Sequence, residues 1–510
     1  MSPGDSEITG SKAVLTIAVM GAALMAVIDI SIVNVALSDI RASFGTPLDQ
    51  IAWVSTGYMM ANIVVIPMTG WLQRKFGYRR YFVASILLFT TSSALCAISW
   101  NLPSLVVFRA LQGLGGGAII PTSQAILFAR YPREEHGMAG ALFALGAITG
   151  PLLGPTLGGY LIDLASWHWI FLVNVPVGLM VAALAWRGIQ QPGHRDPKEP
   201  IDRWGIGLLA VGMASLQYVL EEGNREGWLD SKTILVLGVV AVAALVTFIV
   251  HELEAPHPVV DLRVFANRSY AASTGLNFLL GTALFSGSLL YSLFCGSVMH
   301  YSALDIGMLF LKGSCVQILV MPLIGRFGGR VDARWLIGWG VMMTCLSLWT
   351  NSHLAAGMSD TGLIWPIFIR SLGLGFVFIP LSVVALSDLP PAQRGNAAGL
   401  FNLTRELGGS IGTAWMATML TRHAQAQQTY LAEHVSRYDP TTIDQIRMLG
   451  ARLGSQDAAV AVMGQRISLQ ALTRAFNEGF LTLVVVFAAS VLLVFLLKRP
   501  EAGSAPAAAH

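Results

Sequence analysis

RALQGLGGGAIIP, residues 109–121, and RSLGLGFVFIP, residues 370–380, are one phrase written twice: an arginine, a glycine-rich apolar run, and a closing proline. Two more phrases repeat in the same order. IPMTGWL, residues 66–72, is echoed by MPLIGRF, residues 321–327, each with Pro-x-x-Gly ahead of a basic stretch. AGALF, residues 139–143, is echoed by AGLF, residues 398–401. Three matches in one order divide the chain into two related halves.

What the halves are made of follows from composition. Of 510 residues, 54% are hydrophobic and 12% charged, and the mean hydropathy is +0.62. A soluble domain carries about twice that share of charge, so this is a polytopic membrane protein. A spanning helix needs roughly 20 apolar residues. Fourteen segments qualify: 13–37, 50–72, 80–100, 104–129, 137–162, 168–186, 204–221, 233–251, 270–296, 303–325, 335–352, 363–387, 395–421 and 478–497. The repeats assign the first six to one bundle, residues 13–187, and the last six to another, residues 270–498. A two-helix hairpin, residues 204–252, is inserted between them. The first twelve residues lack the basic region of a signal peptide, so the first apolar run is expected to stay as a helix.

Basic residues set the orientation. Arg74, Lys75, Arg79, Arg80, Arg326, Arg330 and Arg334 gather in loops on one side, whereas the short loops on the other hold Arg41, Arg225 and Lys232. Both termini are therefore expected in the cytoplasm. Each half then starts on the same side, which makes the repeats parallel, related by an axis along the membrane normal, as in secondary transporters. Cys96, Cys295, Cys315 and Cys345 fall in apolar segments without CxxC spacing, so neither disulfides nor a metal site are expected. No cofactor, nucleic-acid partner or enzyme activity is indicated, since metal-ligand clusters, nucleophile elbows and phosphate loops are missing from the sequence.

Several stretches resemble family motifs at the expected helices: LMAVIDISIVNVAL, GWLQRKFGYRR, RALQGLGGGA, GAITGPLLGPTLGG, WHWIFLVNVPVG and FNLTRELGGSIG. From about residue 13 to 498 the chain resembles the fourteen-helix drug:proton antiporters of the major facilitator superfamily. The resemblance implies the major facilitator fold, a bacterial inner-membrane location, and export of amphipathic compounds in exchange for protons. It also implies that the polar outer segment, residues 422–477, meets a periplasmic adaptor that leads to an outer-membrane channel. The lipid bilayer, protons and drug-like molecules complete the expected partners. A facilitator, or an exporter of lipids, metabolites or siderophores, is the alternative on this scaffold. One departure is visible: the family's loop motif after the second helix usually has an aspartate three residues before its second glycine, where this chain has Arg74 before Gly77.

Asp29 is the first candidate for chemistry. A charge in mid-membrane costs several kcal/mol unless it faces a cavity or a partner. At the helical rise, Asp29 lies roughly 12 Å and Arg109 roughly 8 Å below the outer surface, so the two can pair. A buried carboxyl group without a partner stays protonated, and a nearby arginine favours the charged form. Asp29 therefore reads as a proton acceptor governed by Arg109, with a permanent helix-stapling ion pair as the alternative. Glu406 in NLTRELGG is a second candidate carboxylate, with Asn402 one turn before it on the same face. Arg405, its neighbour, points about 100° away, and pairing of Glu406 with Lys312 or Arg370 is the structural alternative. Asn34 is a candidate lining residue. Conformational roles are expected for Gly70, Arg74, Gly77, Gln112 and Gly113. They extend to the stacked Gly146, Gly150, Gly154 and Gly158, with Pro151 and Pro155 beside them, which the resemblance implies form a bendable seam between the halves, static close packing being the alternative. His251 and Glu252, ending the eighth segment, are expected to be solvated.

Overall fold

The computed structural model describes residues 11–190, 200–328, 331–387, 389–433 and 440–497. Every one of the fourteen apolar segments is a helix. The first bundle comprises α1 (Lys12–Phe44), α2 (Trp53–Phe76), α3 (Tyr78–Ala97), α4 (Leu102–Arg130), α5 (His136–Leu164) and α6 (Trp169–Gly188). The inserted hairpin is α7 (Arg203–Glu222) and α8 (Lys232–Glu254). The second bundle comprises α9 (Arg268–Ser297), α10 (Ala303–Phe327), α11 (Ala333–Asn351), α12 (Asp360–Ser387), α13 (Pro391–Glu433) and α15 (Gln456–Val494), with the short α14 (Pro440–Leu453) between the last two.

Helix ends follow from local chemistry. Gly45 takes the left-handed φ of 62° that ends α1, a conformation glycine adopts without steric cost. The Asn101 side chain accepts from the Ser104 backbone N–H at 2.8 Å to start α4, and Ser302 and Asp305 cap α10 reciprocally. Among the described residues ten helices are long and apolar enough by composition to cross a membrane. Two of the helices outside that set, α2 and α13, bury polar side chains such as Asn62, Gln73, Arg394 and Asn402. Their polar faces point into protein, where hydropathy gives no guide.

The repeat is visible in the packing. In the first half α1 packs on α5, α2 and α3 on α4, and α1 and α3 on α6. In the second half α9 packs on α13, α10 and α11 on α12, and α9 and α11 on α15. Between the halves α2 meets α13 and α5 meets α10, two contacts that the same pseudo-twofold exchanges. The hairpin α7–α8 lies against α2 through α7, where Trp53 and Tyr218 have ring centroids 5.6 Å apart.

The duplicated Pro-x-x-Gly phrases lie at that seam. A Cβ on Gly70 would stand 2.5 Å from the Asn396 backbone, and one on Gly325 would stand 2.5 Å from Ala141 Cβ. Neighbouring contacts tie the same end together: Asn402 Nδ2 donates to Gln124 Oε1 at 2.7 Å, and Arg394 Nη1 donates to the Phe128 carbonyl at 3.3 Å. His136 Nδ1 lies 2.8 Å from Ser387 Oγ. These gather toward the end bearing the basic loops.

Two expectations change. Gly150 and Gly158 of α5 abut Val27 and Ile32 of α1, so this glycine face is an intra-half contact. Gly146 and Gly154, one turn before each, face Met20 and Ser31 of the same helix. The α5 seam instead runs through Gly137, whose Cβ would stand 2.6 Å from the Gly325 carbonyl oxygen. The side chains of Pro151 and Pro155, like Arg330, lie outside the described residues. Glu252 is 1% exposed, because it accepts from the Val260 N–H at 3.1 Å, and His251 meets Asp202 at 2.7 Å. The linker after α8 folds back over Glu252, while His251 is half-buried beside the start of α7. The outer segment is largely helix, since α13 runs 43 residues, roughly 65 Å at the helical rise and about twice a bilayer core.

Candidate functional site

Asp29 lies at the point in the first half where α1, α4 and α6 meet. It is 0% exposed and Arg109 is 1% exposed. Arg109 Nη1 donates to Asp29 Oδ2 at 2.6 Å and to Gln112 Oε1 at 2.7 Å, while Nε donates to the Val54 carbonyl at 3.2 Å. Asp29 Oδ1 accepts from Gln112 Nε2 at 2.8 Å and from Asn174 Nδ2 at 2.7 Å. Asn174 reaches on to Ser93 Oγ at 3.1 Å. The guanidinium also stands 4.3 Å from the centroid of the Tyr58 ring. Charge-assisted bonds of this length are the strong kind.

Helical geometry explains the cluster. Arg109 and Gln112 are three residues apart on α4 and share a face, and the glycines that follow bring α2 close. A Cβ on Gly113 would stand 2.3 Å from the Tyr58 carbonyl oxygen. Tyr58 is thereby held against Arg109. The important asymmetry is chemical: Arg109 has Asp29 beside two other acceptors, so its charge retains hydrogen bonds when the carboxylate lets go.

The second half carries the matching arginine without the acid. Arg370 Nη1 donates to Ser288 Oγ at 3.1 Å and stands 5.4 Å from the Phe310 ring centroid. Glu406 pairs with neither Arg370 nor Lys312 among the described residues. Its partner is Arg405, with Nη2 3.5 Å from Glu406 Oε1. Adjacent positions on a helix diverge, yet the long arginine side chain bends round so that both line one cavity. That cavity measures about 20 Å³, room for about one water. Asn402, Arg405 and Glu406 face Ile30, Asn62 and Gly116 across it. Lys312 is exposed and stands apart. Asn34 is also exposed, its Oδ1 accepting from Ser55 Oγ at 3.2 Å.

Around the basic loop, Gly77 turns the chain at φ 81°, Arg74 Nη2 donates to the Pro258 carbonyl at 3.5 Å, and Arg79 stands over Trp186. Sequence reasoning passed over Asn174, Ser93 and Tyr58. Asn174 had a signal: it is the one amide in the apolar stretch IFLVNVPVG.

Two parallel helical bundles, joined at a seam and enclosing a buried acid–base cluster, define a secondary transporter of the membrane. The chain belongs to the major facilitator superfamily, whose family model, "Major Facilitator Superfamily", matches residues 19–413. It is 34% identical over 499 residues to the "Multidrug export protein EmrB" of Escherichia coli (strain K12), covering 98% of each chain. It is 33% identical over 483 residues to the "Fatty acid resistance protein FarB" of Neisseria gonorrhoeae, covering 94% of each. The "Colistin resistance protein EmrB" of Acinetobacter baumannii is 31% identical over 93% of this chain and 94% of its own length. In fold the chain is similar to the human organic anion transporter MFSD10, with TM-score 0.63 and 14% identity over 96% of this chain and 100% of that one. The proton:xylose symporter XylE gives TM-score 0.60 and 12% identity over 94% and 95%.

Proposed function

We propose that the protein is a proton-driven exporter of amphipathic, drug-like compounds that works by alternating access, with its basic loops and termini in the cytoplasm of a bacterial cell and the bundle in the inner membrane. The near full-length likeness to proteins named for multidrug export, fatty acid resistance and colistin resistance supports the substrate class. The observation that carries proton coupling is the Asp29 carboxylate, fully buried yet held by one arginine and two amides. Asp29 is the proton site, Arg109 sets its charge state, and Glu406 with Arg405 and Asn402 forms the second polar group on the substrate path. Asn34, Lys312 and Arg370, which stand apart from both groups, are further polar positions open to substrate. Gly70, Arg74, Gly77, Gln112, Gly113 and the α5 glycines, with Pro151 and Pro155, serve the conformational change. The outer ends of α13 and α15, with α14, are the surface for a periplasmic adaptor leading to an outer-membrane channel.

The test is reconstitution of the full chain in liposomes with an imposed pH gradient and no other energy source. Ethidium and oleate are the probes. Gradient-driven accumulation of either probe that collapses with nigericin is the expected result. Probe flux that merely equilibrates, with or without the gradient, would replace antiport by facilitated diffusion.

A further inference from the structure

Tyr58 stands between the two carboxyl groups. On one side its ring supports the Arg109 guanidinium 4.3 Å from the centroid, a cation–π contact strengthened by burial. On the other, its hydroxyl fills the place where a side chain on α4 would be: a Cβ on Gly116 would stand 2.2 Å from Tyr58 Oη. Asn62 is the polar side chain set against the hydroxyl, and Asp29 and Glu406 are the carboxylates within its electrostatic reach. Gly116 and Asn62 both line the cavity closed from the other half by Asn402, Arg405 and Glu406.

Tyr58 is 1% exposed, and its hydroxyl makes no hydrogen bond of ordinary geometry among the described residues. Burying a hydroxyl that way is costly. A tyrosine needed only for packing against Arg109 would be better served as phenylalanine. The hydroxyl reaches the water-sized cavity only through Asn62, which lines it.

We infer that Tyr58 couples the Asp29–Arg109 cluster to the cavity beside Glu406, its ring seating the guanidinium and its hydroxyl set against Asn62, the side chain that lines the cavity and meets the water or the polar group of a substrate held there. The inference rests on Asp29 as the proton site. Tyr58 is a positioning residue: the proton binds at Asp29, and Tyr58 does not carry it. When a ligand in the cavity draws Asn62, the tyrosine set against it shifts, its ring moves against the guanidinium, and the grip of Arg109 on Asp29 changes. Loading one site thereby alters the other, which is the content of coupling.

The experiment uses the purified full chain and three variants: Tyr58→Phe, Tyr58→Phe with Gly116→Ala, and Asp29→Asn. Binding of ethidium and oleate is followed by tryptophan quenching, and protons released on binding by a pH dye in weak buffer. Tyr58→Phe is expected to bind within about threefold of wild type yet release at least about tenfold fewer protons per probe bound, since loading one site no longer alters the other. The double variant, whose added methyl refills the lost volume, is expected to remain uncoupled. Wild-type release by Tyr58→Phe, or recovery in the double variant, would mean that the hydroxyl only fills space and would overturn the inference. Wild-type release by Asp29→Asn would instead overturn the proton-site reading, which is a separate failure.

Discussion

Replacing Asp29 by Asn is expected to reduce gradient-driven transport to background while leaving a folded protein, whereas Arg109→Ala is expected to lose both transport and stability. The difference follows from who is left unpaired. In Asp29→Asn the amide oxygen still accepts from Gln112 and Asn174, and Arg109 keeps Gln112, the Val54 carbonyl and the Tyr58 ring. The cost is at least that of a charge-assisted hydrogen bond, about 1.5–3 kcal/mol, because the buried guanidinium loses its counter-charge, but no void is opened. In Arg109→Ala a buried carboxylate keeps only amide donors, and a large, fully buried side chain leaves a void. Removing one partner of a buried pair costs about 3–5 kcal/mol.

Thermal unfolding in detergent should therefore rank wild type above Asp29→Asn, and Asp29→Asn above Arg109→Ala. The double variant should lose less than the two single losses combined, because groups in one network couple. Its margin is expected to be about 2 kcal/mol, inside the measured range of such couplings. An Arg109→Ala protein that is as stable as wild type would show that the pair contributes little to the fold. An Asp29→Asn protein that pumps normally would remove Asp29 from the mechanism, however stable it is.

Hydropathy and repetition made the architecture legible because both are properties of the chain itself. A helix that meets lipid must be apolar, so its limits can be read, and a duplicated fold leaves duplicated phrases wherever packing is tight. The phrases around Gly70 and Gly325 recur because each lies at one of the two equivalent crossings between halves. The Asp29–Arg109 pairing was legible for a different reason: two opposite charges at similar depth stand out in an apolar background.

What the sequence withheld depends on which faces meet. Tyr58 is a neutral residue among many, and Asn174, though it stands out in its apolar stretch, shows no partner in the sequence; their roles come from being turned toward Asp29 and Arg109. The stacked glycines of α5 show the same limit. Period four establishes a smooth face, yet only the fold shows that α1 lies against it rather than the other half. Glu406 and Arg405 show a third: backbone geometry separates them, and side-chain length brings them back to one cavity.

The seam supports the other large prediction, a contrast between two glycines in the same closure. A methyl at Gly70 would stand 2.5 Å from the Asn396 Cα and backbone nitrogen, a distance real contacts do not reach. Backbone on a long helix cannot swing aside as a side chain can, so the halves must part at this end. A methyl at Gly140 meets nothing nearer than 3.5 Å, the Ile379 methyl and the Ser382 hydroxyl, which is ordinary contact. Gly70→Ala is therefore expected to fold, since the internal packing of each half is untouched, and to lose transport by at least about tenfold. That loss corresponds to about 1.4 kcal/mol of bias against the closed seam. Gly140→Ala is expected to transport as wild type does. Population can be read separately from rate. In a chain with Cys315 and Cys345 changed to serine, Gln73→Cys places a thiol at a buried seam position, next to Gly395. Gly70→Ala should raise its labelling by a membrane-impermeant maleimide applied from the side of the basic loops, and Gly140→Ala should leave it low. Equal labelling in the two variants would mean that the seam yields without opening, and that alternation in this protein does not turn on the close approach at Gly70.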